Sequence, residues 1–490
     1  MKFQYSLIII GLLSFCLYFP GLSQSYVDLA QQFSQREITG SARMQGMGGV
    51  SSSLGGDVTS AMKNPAGLGF FNRSELSFSP SIGFHNTDAK YLGRNSDDFK
   101  TNFNFGHLGV VLNNTKQNPE GAWRGGSFGI SMNRINDFHS QIRYSGRNSG
   151  DDFVGSSLHG AYYSNGTVAF DNIYSELAFE AYLIDEFYDP VTDEYFLDTY
   201  NDRAVDSGFP VEQSEGINIK GAGYTTNFAY GGNFADKFYF GVGINLSSLN
   251  YEMSRVYKER PTSTALDEVT LAENRQFSGS GFNVSLGAIY RPISTLTVGL
   301  AYTSPTYYTL EDYLTVDLIA DYGDSTNYAY FPYDNISPII NYEYRRPAHL
   351  NGGLSYFIGK NGFITADVEY INYGGNKYSS NENDFSVDNQ EIGDVLQSVI
   401  NYKIGGEYRY SIFRFRAGFA FFGDPIGEAS VDRSRKSFSL GAGIRLRDYY
   451  IDLAAVNTRY ETGYVPYAEG PLAVAKHNST RAMLTFGLNF

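Results

Sequence analysis

From Glu75 to the last residue, Phe490, apolar and polar positions alternate with a period of two in short runs, as in strands with one greasy and one polar face. The final run sets Ala482, Leu484, Phe486, Leu488 and Phe490 against Arg481, Met483, Thr485 and Asn489. Phe238, Phe240, Val242, Ile244 and Leu246 oppose Tyr239, Gly241, Gly243 and Asn245, and Phe413, Phe415, Ala417, Phe419 and Phe421 oppose Arg414 and Arg416. Short turns at 233–236, 291–294, 359–362, 410–412 and 447–449 alternate with long polar stretches at 86–101, 146–215, 259–273, 321–337, 375–397, 424–434 and 461–477. With 114–124 joining the short turns, seven long connections predict fourteen strands, an even number with both chain ends on the short-turn side. A closed membrane barrel has this layout, its apolar rows facing lipid and its polar rows facing the lumen. The expected fold is therefore all-β: a fourteen-stranded antiparallel transmembrane β-barrel over 75–490, with 146–215 as its longest, partly helical outer loop.

Two stretches break the alternation. Residues 40–71, GSARMQGMGGVSSSLGGDVTSAMKNPAGLGFF, are small and flexible, with a turn signal at Asn64-Pro65. A segment of that kind folds into tight space, so 24–74 is expected to be an N-terminal plug, or hatch, inside the lumen. In the third strand, Ser127 to Met132 alternates well, then Asn133-Arg134-Ile135-Asn136-Asp137 does not, and the pattern resumes near Phe138. Unpaired polar groups cost several kcal/mol each at membrane depth, so a bulge or kink is expected there, at Asn133, Asn136 and Asp137.

Composition narrows the setting. Phe and Tyr total 77 against one Trp, and 18% of residues are charged. No stretch after residue 30 approaches the ~20 apolar residues of a spanning helix. Lys2, the apolar run from Leu7 to Phe19 and Gly21-Leu22-Ser23 read as a signal peptide over 1–23, which contains the only cysteine, Cys16. These features point to the bacterial outer membrane, with its lipid and lipopolysaccharide around the barrel, and Phe490 suits barrel assembly machinery as a partner. The net charge of −15 excludes nucleic acid as a natural partner. Six scattered histidines give no metal-ligand spacing, no serine sits in a nucleophile elbow, and no acid–base pair stands out. Neither an enzyme nor a cofactor is expected.

Candidate binding residues come from two places. Residues 171–215 hold thirteen Asp or Glu against one basic residue, Arg203. Within them, 171–187 reads as a helix capped by Asp171, with Ile173, Leu177 and Ile184 on one face, either a lid over ligand or a helix packed on other loops. Strand parity puts Asp367, Glu369, Glu407, Arg409, Arg414, Arg416, Arg445, Arg447 and Asp452 on the lumen side. They are expected to anchor the plug or to bind a substrate carboxylate.

Arg43 with the Gly/Met/Ser-rich run after it, then Asp57, then Asn64-Pro65-Ala66 just before the first strand, resembles the hatch of the FadL/TodX outer-membrane transport family. The resemblance implies a fourteen-stranded barrel with an internal hatch, a kinked third strand forming a lateral opening, and passive uptake of a hydrophobic small molecule such as a fatty acid or aromatic hydrocarbon. The long acidic loops depart from that pattern. They leave open a secretion-associated or structural barrel that binds partner proteins through those loops.

Overall fold

The protein, seen here as a computed structural model, is described over residues 25–115, 121–200, 203–262, 265–332, 337–427 and 430–490; the signal peptide expected over 1–23, with Cys16, lies outside the described residues. Fourteen antiparallel strands close into a barrel. In order they are Glu75–Tyr91, Arg94–Thr115, Trp123–Asp137 with Ser140–Asn148, Val211–Phe234, Phe238–Pro261, Glu268–Ile293, Leu296–Thr303 with Thr306–Asp321, Ile339–Arg346 with His349–Ile358, Gly362–Asn372, Ser398–Tyr410, Phe413–Phe422, Arg435–Arg445, Tyr449–Tyr464 and Ala473–Asn489. Each pairs with its successor, and the first pairs with the last from Glu75↔Asn489 to Lys90↔Val474. Ser74 and Phe490 exchange backbone hydrogen bonds at 3.0 and 3.1 Å, which seals the seam at the short-turn end.

The outward face marks the membrane. On the 24-residue fifth strand, Phe238, Phe240, Val242, Ile244 and Leu246 are exposed, and then Ser248, Asn250 and Glu252 replace them. Nine residues at about 3.3 Å each, tilted by about 40°, span about 23 Å, close to the ~25 Å apolar band of such barrels. The rest of the strand projects beyond the bilayer, and this accounts for a difference from the sequence reading. Stretches 86–101 and 259–273 are largely strand: the first hairpin turns only at Leu92 and Gly93, both at positive φ, and the fifth strand runs to Pro261 before the sixth starts at Glu268. Outside the membrane both faces of a strand are solvated, so alternation fades while the ladder continues.

The long insertion after the third strand holds helices Phe153–His159 and Ile173–Glu180 and two small hairpins. The helix expected over 171–187 is shorter than its apolar spacing suggested. Its N-cap is Asn172, whose side chain accepts from Ser175 N, rather than Asp171. It stops because Tyr182 adopts a left-handed φ of 56°, with Tyr182 N bonded to Phe179 O and Leu183 N to Ala178 O. Ile184 instead opens a strand paired with Glu194–Thr199. Leu177 and Ile184 are fully buried against Val269, Leu271, Val316 and Leu318, the extramembrane walls of the sixth and seventh strands, with Ile173 at the edge of that cluster.

Candidate functional site

The N-terminal segment lies against the inward faces of strands all round the barrel. It touches the barrel, mostly with backbone atoms, where the wall has no side chains. A Cβ added at Gly241 would meet Pro65 C at 2.2 Å, at Gly287 Asn64 Oδ1 at 1.9 Å, at Gly299 Ser52 O at 1.9 Å, at Gly405 Met47 O at 2.2 Å and at Gly418 Met47 C at 2.2 Å. These glycines, on five strands, form the seat. The motif residues organise the segment itself. Asn64, fully buried, caps the 3₁₀ helix Pro65–Phe70 by accepting from Ala66 N, and its Nδ2 donates to Ser52 O at 2.5 Å. Pro65 sits at the first helical position, where a missing N–H costs nothing. Asp57 accepts from Ser41 Oγ (2.7 Å) and Thr59 N (2.9 Å) and lies 3.9 Å from Arg43. Burial alone would raise the Asp57 pKa, but Arg43 and the Thr59 bond outweigh it and hold the carboxyl below its usual range.

Most of the expected lumen charges reach this segment or each other. Asp367 accepts from Ser51 N, Ser52 N and Ser52 Oγ at 2.7, 2.9 and 2.8 Å. Glu407 takes Arg43 from the segment and Arg409 and Arg416 from the wall, and Arg416 continues to Asp452, which also binds Arg445. One arginine lies elsewhere than parity placed it: the twelfth strand ends at Arg445, so Arg447 falls in the exposed turn beyond it. Arg414, on the same face of its strand as Arg416, bonds rim carbonyls of Ser411 and Phe413.

The third strand is interrupted. It pairs with the second only from Thr115↔Gly125 to His107↔Asn133, and Asn133 is held regularly by His107 and Asn227. Against the fourth strand Ile135 is an extra residue, and the strand stops at Asp137 to restart at Ser140, now paired with the fourth strand alone. From Gly106 to Arg94 the second strand therefore faces a slit. Phe103 and Phe105 point outward beside its lower part, so that part opens at membrane depth. Among the described residues, only side chains cross it. Lys100 Nζ donates to Asn218 Oδ1 (2.6 Å) and Ile219 O (2.7 Å), Asn102 Nδ2 to Asp137 Oδ2 (3.0 Å), and Arg143 Nε to Asp98 Oδ1 (2.7 Å). Asp137 also receives both Arg134 nitrogens and His139. The 35–39 stretch docks on this break: Glu37 N donates to Ile135 O, Asp137 N to Glu37 Oε1, Asn136 to Gln35 O and Thr39 to Arg134 O, while Arg481 pairs with Glu37.

Inside the slit lies a chamber walled by Phe138, Ile142, Tyr251, Met253, Phe277, Tyr308, Leu310 and Tyr344, and filled by helix α1, Tyr26–Ser34. The Phe33 ring lies edge-on to Phe138, Tyr251 and Phe277 at 5.8, 5.5 and 5.3 Å. The opposite, polar face of α1, with Asp28, Gln31 and Gln35, lines a separate cavity of about 150 Å³ that reaches Asn136, Asp137, His85 and Arg481. At the chamber's end Arg346, 1% exposed, has Nη1 3.5 Å from Tyr308 Oη and, among the described residues, no partner for Nε or Nη2. Arg36 and His349 stand near it, and His349 (3.3 Å) shares Glu369 with Lys403 (3.0 Å), which has Lys63 as a neighbour. Burial, and then the Arg346 guanidinium, bring Arg36 down to about 9; burial, and then Lys403, bring Lys63 down to about 7. The sequence reading missed α1 and Arg346. The helix had a signal, Ser25 as N-cap and Tyr26, Leu29, Ala30 and Phe33 at helical spacing, whereas Arg346 is the last residue of its strand segment, in phase with Tyr342 and Tyr344, and nothing in that alternation singles it out.

The class of protein is thus a membrane-spanning, outer-membrane-type β-barrel of fourteen strands, filled by its own N-terminus and slit at one strand. Among solved structures it is similar to a FadL homologue of Pseudomonas aeruginosa (TM-score 0.58, 14% identity, 93% of this chain and 100% of that one) and to the toluene transporter TodX of Pseudomonas putida (TM-score 0.50, 15% identity, 93% and 99%). Its fold is therefore of the FadL/TodX type. No family model and no curated protein sequence matches the chain.

Proposed function

We propose that the protein is a passive channel for a hydrophobic small molecule with an acidic end, of the fatty-acid kind, and that 41–71 is the plug that keeps it closed to polar solutes. The observation that carries this reading is the aromatic chamber behind the slit, ending at a buried guanidinium without an anion. The apolar walls suit a greasy body, whose burial is worth about 25 cal/mol per Å². Desolvating Arg346 without a partner is costly, and a carboxylate offers the bidentate geometry that an arginine matches best. The ligand enters from the loop side and leaves through the slit toward the bilayer, since the charged lumen past the plug is a poor route for it. The FadL- and TodX-type fold supports a channel, and Arg346 favours the acid over a neutral hydrocarbon. Titrating purified protein with dodecanoate and with toluene tests the assignment. Arg346→Gln is expected to weaken dodecanoate at least tenfold and leave toluene unchanged. Equal effects on both, or none, would remove the acidic end from the proposal.

A further inference from the structure

The wall also carries a polar groove on its long-loop side, just above the apolar band. It lies across the twelfth, thirteenth, fourteenth and first strands, has a volume of about 530 Å³, and is lined in part by Lys436, Arg459, Lys476, Asn478, Asp88 and Glu461. Its height follows from the strands that build it. On the thirteenth strand Tyr449, Ile451 and Leu453 are exposed, Ala455 follows, and Arg459 comes later in the same phase. From Tyr449 to Arg459 the strand rises about 25 Å at about 3.3 Å per residue and about 40° tilt, so Arg459 stands where the apolar band ends. On the twelfth strand exposed Leu440 and Phe438 give way to Lys436 at the same level.

Lys436 and Arg459 are direct cross-strand partners, both exposed, and like charges in that relation repel. Other outward cations have a carboxylate at hand: Lys220 has Glu252, Lys258 and Arg260 share Glu268, and Lys476 has Glu461. Among the described residues Lys436 and Arg459 form no ion pair. Arg459 is nevertheless held in place. Its Nε donates to Asn457 Oδ1 at 3.2 Å, and Asn457 Nδ2 donates to Asn478 Oδ1 at 2.6 Å and to Thr480 Oγ1 at 2.9 Å. A fixed guanidinium beside an ammonium suits a phosphate. The rim adds acceptors, Glu461 at 3.5 Å from Lys476 and Asp88 opposite Lys476 in the ladder, and carboxylates of that kind take sugar hydroxyls. Directly below, Phe438, Leu440 and Leu453 offer an apolar wall. We propose that this groove binds a phosphorylated glycolipid of the outer leaflet, with its phosphate between Lys436 and Arg459, its sugar hydroxyls on Asp88 and Glu461, and its acyl chains along Phe438, Leu440 and Leu453. The site lies on the outside of the barrel, apart from the chamber, and stands whatever the channel carries.

Native mass spectrometry of the full-length protein in detergent, titrated with bis-phosphorylated lipid A, tests this. Lys436→Gln with Arg459→Gln should weaken lipid A retention about tenfold or more, since each cation near a lipid surface is worth about 1 kcal/mol. Arg345→Gln with Lys377→Gln removes the same charge from an exposed cross-strand pair on the eighth and ninth strands and should leave retention unchanged. Lipid A stripped of its phosphates should bind the wild type as weakly as lipid A binds the first variant, and inorganic phosphate in large excess should displace little, since it has no acyl chains. Heat-modifiable mobility confirms that each variant is a folded barrel. Equal retention by the wild type and both variants would mean ordinary surrounding lipid and overturn the site. Equal losses in the two variants would reduce it to general surface charge and overturn it as well. Full displacement by inorganic phosphate would leave an anion site in which the glycolipid has no part.

Discussion

If 41–71 is the plug proposed above, its seat on glycines makes it sensitive to single methyl groups. At Gly405 an added Cβ would stand 2.2 Å from the Met47 carbonyl oxygen, and at Gly299 1.9 Å from that of Ser52. Ordinary contact needs about 1 Å more, and both obstacles are backbone, so no flexible side chain can move aside. Overpacking of this size costs about 1–3 kcal/mol, which lowers the occupancy of the seat about 5–150-fold. The lipid face and the strand ladders are untouched, so Gly405→Ala and Gly299→Ala should insert and fold normally and yet conduct small ions. Gly352 supplies the control, since a Cβ there meets nothing within 4 Å. Conductance in planar bilayers is the measurement: the two seat variants should show frequent openings, Gly352→Ala and wild type few. Closed channels in both seat variants would refute the idea that these glycines hold the plug.

Removing 41–69 should leave an assembled, heat-modifiable barrel with continuous conductance, and failure to insert would mean the segment is part of the fold. Lys63 gives a pH dependence. It is neutral in the seated plug above about pH 7, whereas a solvated lysine titrates near 10.5, so seating releases a proton in that window and is favoured as pH rises through it. Hydrogen-exchange protection of the plug, corrected for intrinsic rates, should increase from pH 7 to 9 and lose that trend in Lys63→Met. Cysteines in place of Asn102 and Asp137, whose side chains meet at 3.0 Å across the slit, should stop uptake of a lipophilic acid when oxidised and restore it on reduction; full uptake through the closed crosslink would exclude the lateral exit.

The strand count, the closure and the position of the third-strand interruption were legible because lipid imposes a strict rule: one face apolar, ladder satisfied, any breach conspicuous. Where the rule lapses, so did the reading. Beyond the bilayer the strands at 86–101 looked like loop because both faces are wet. The helix at Ile173–Glu180 was drawn too long because Leu177 and Ile184 share an apolar cluster without sharing a helix. In the lumen, parity located Asp367, Glu407, Arg416 and Asp452 on the correct face, but the turn at 446–448 carried Arg447 off it. Gly231 carries no signal of its own in the strand pattern, yet a Cβ built there would stand 2.4 Å from Pro65 O.

The slit also changes the mechanics of the wall. Above His107 the first and second strands form a hairpin fastened along one side only, through the first strand to the fourteenth. In a continuous barrel any widening must rupture a ladder. Here the hairpin is a cantilever, and widening bends a sheet and stretches a few side-chain bridges. Its stiffness, more than the strength of backbone hydrogen bonds, sets the width of the opening. Because Phe103 and Phe105 are exposed on its outer face, at membrane depth, lateral pressure in the bilayer bears directly on that width. On the proposed lateral route, the membrane that receives the cargo is also the spring that closes the door.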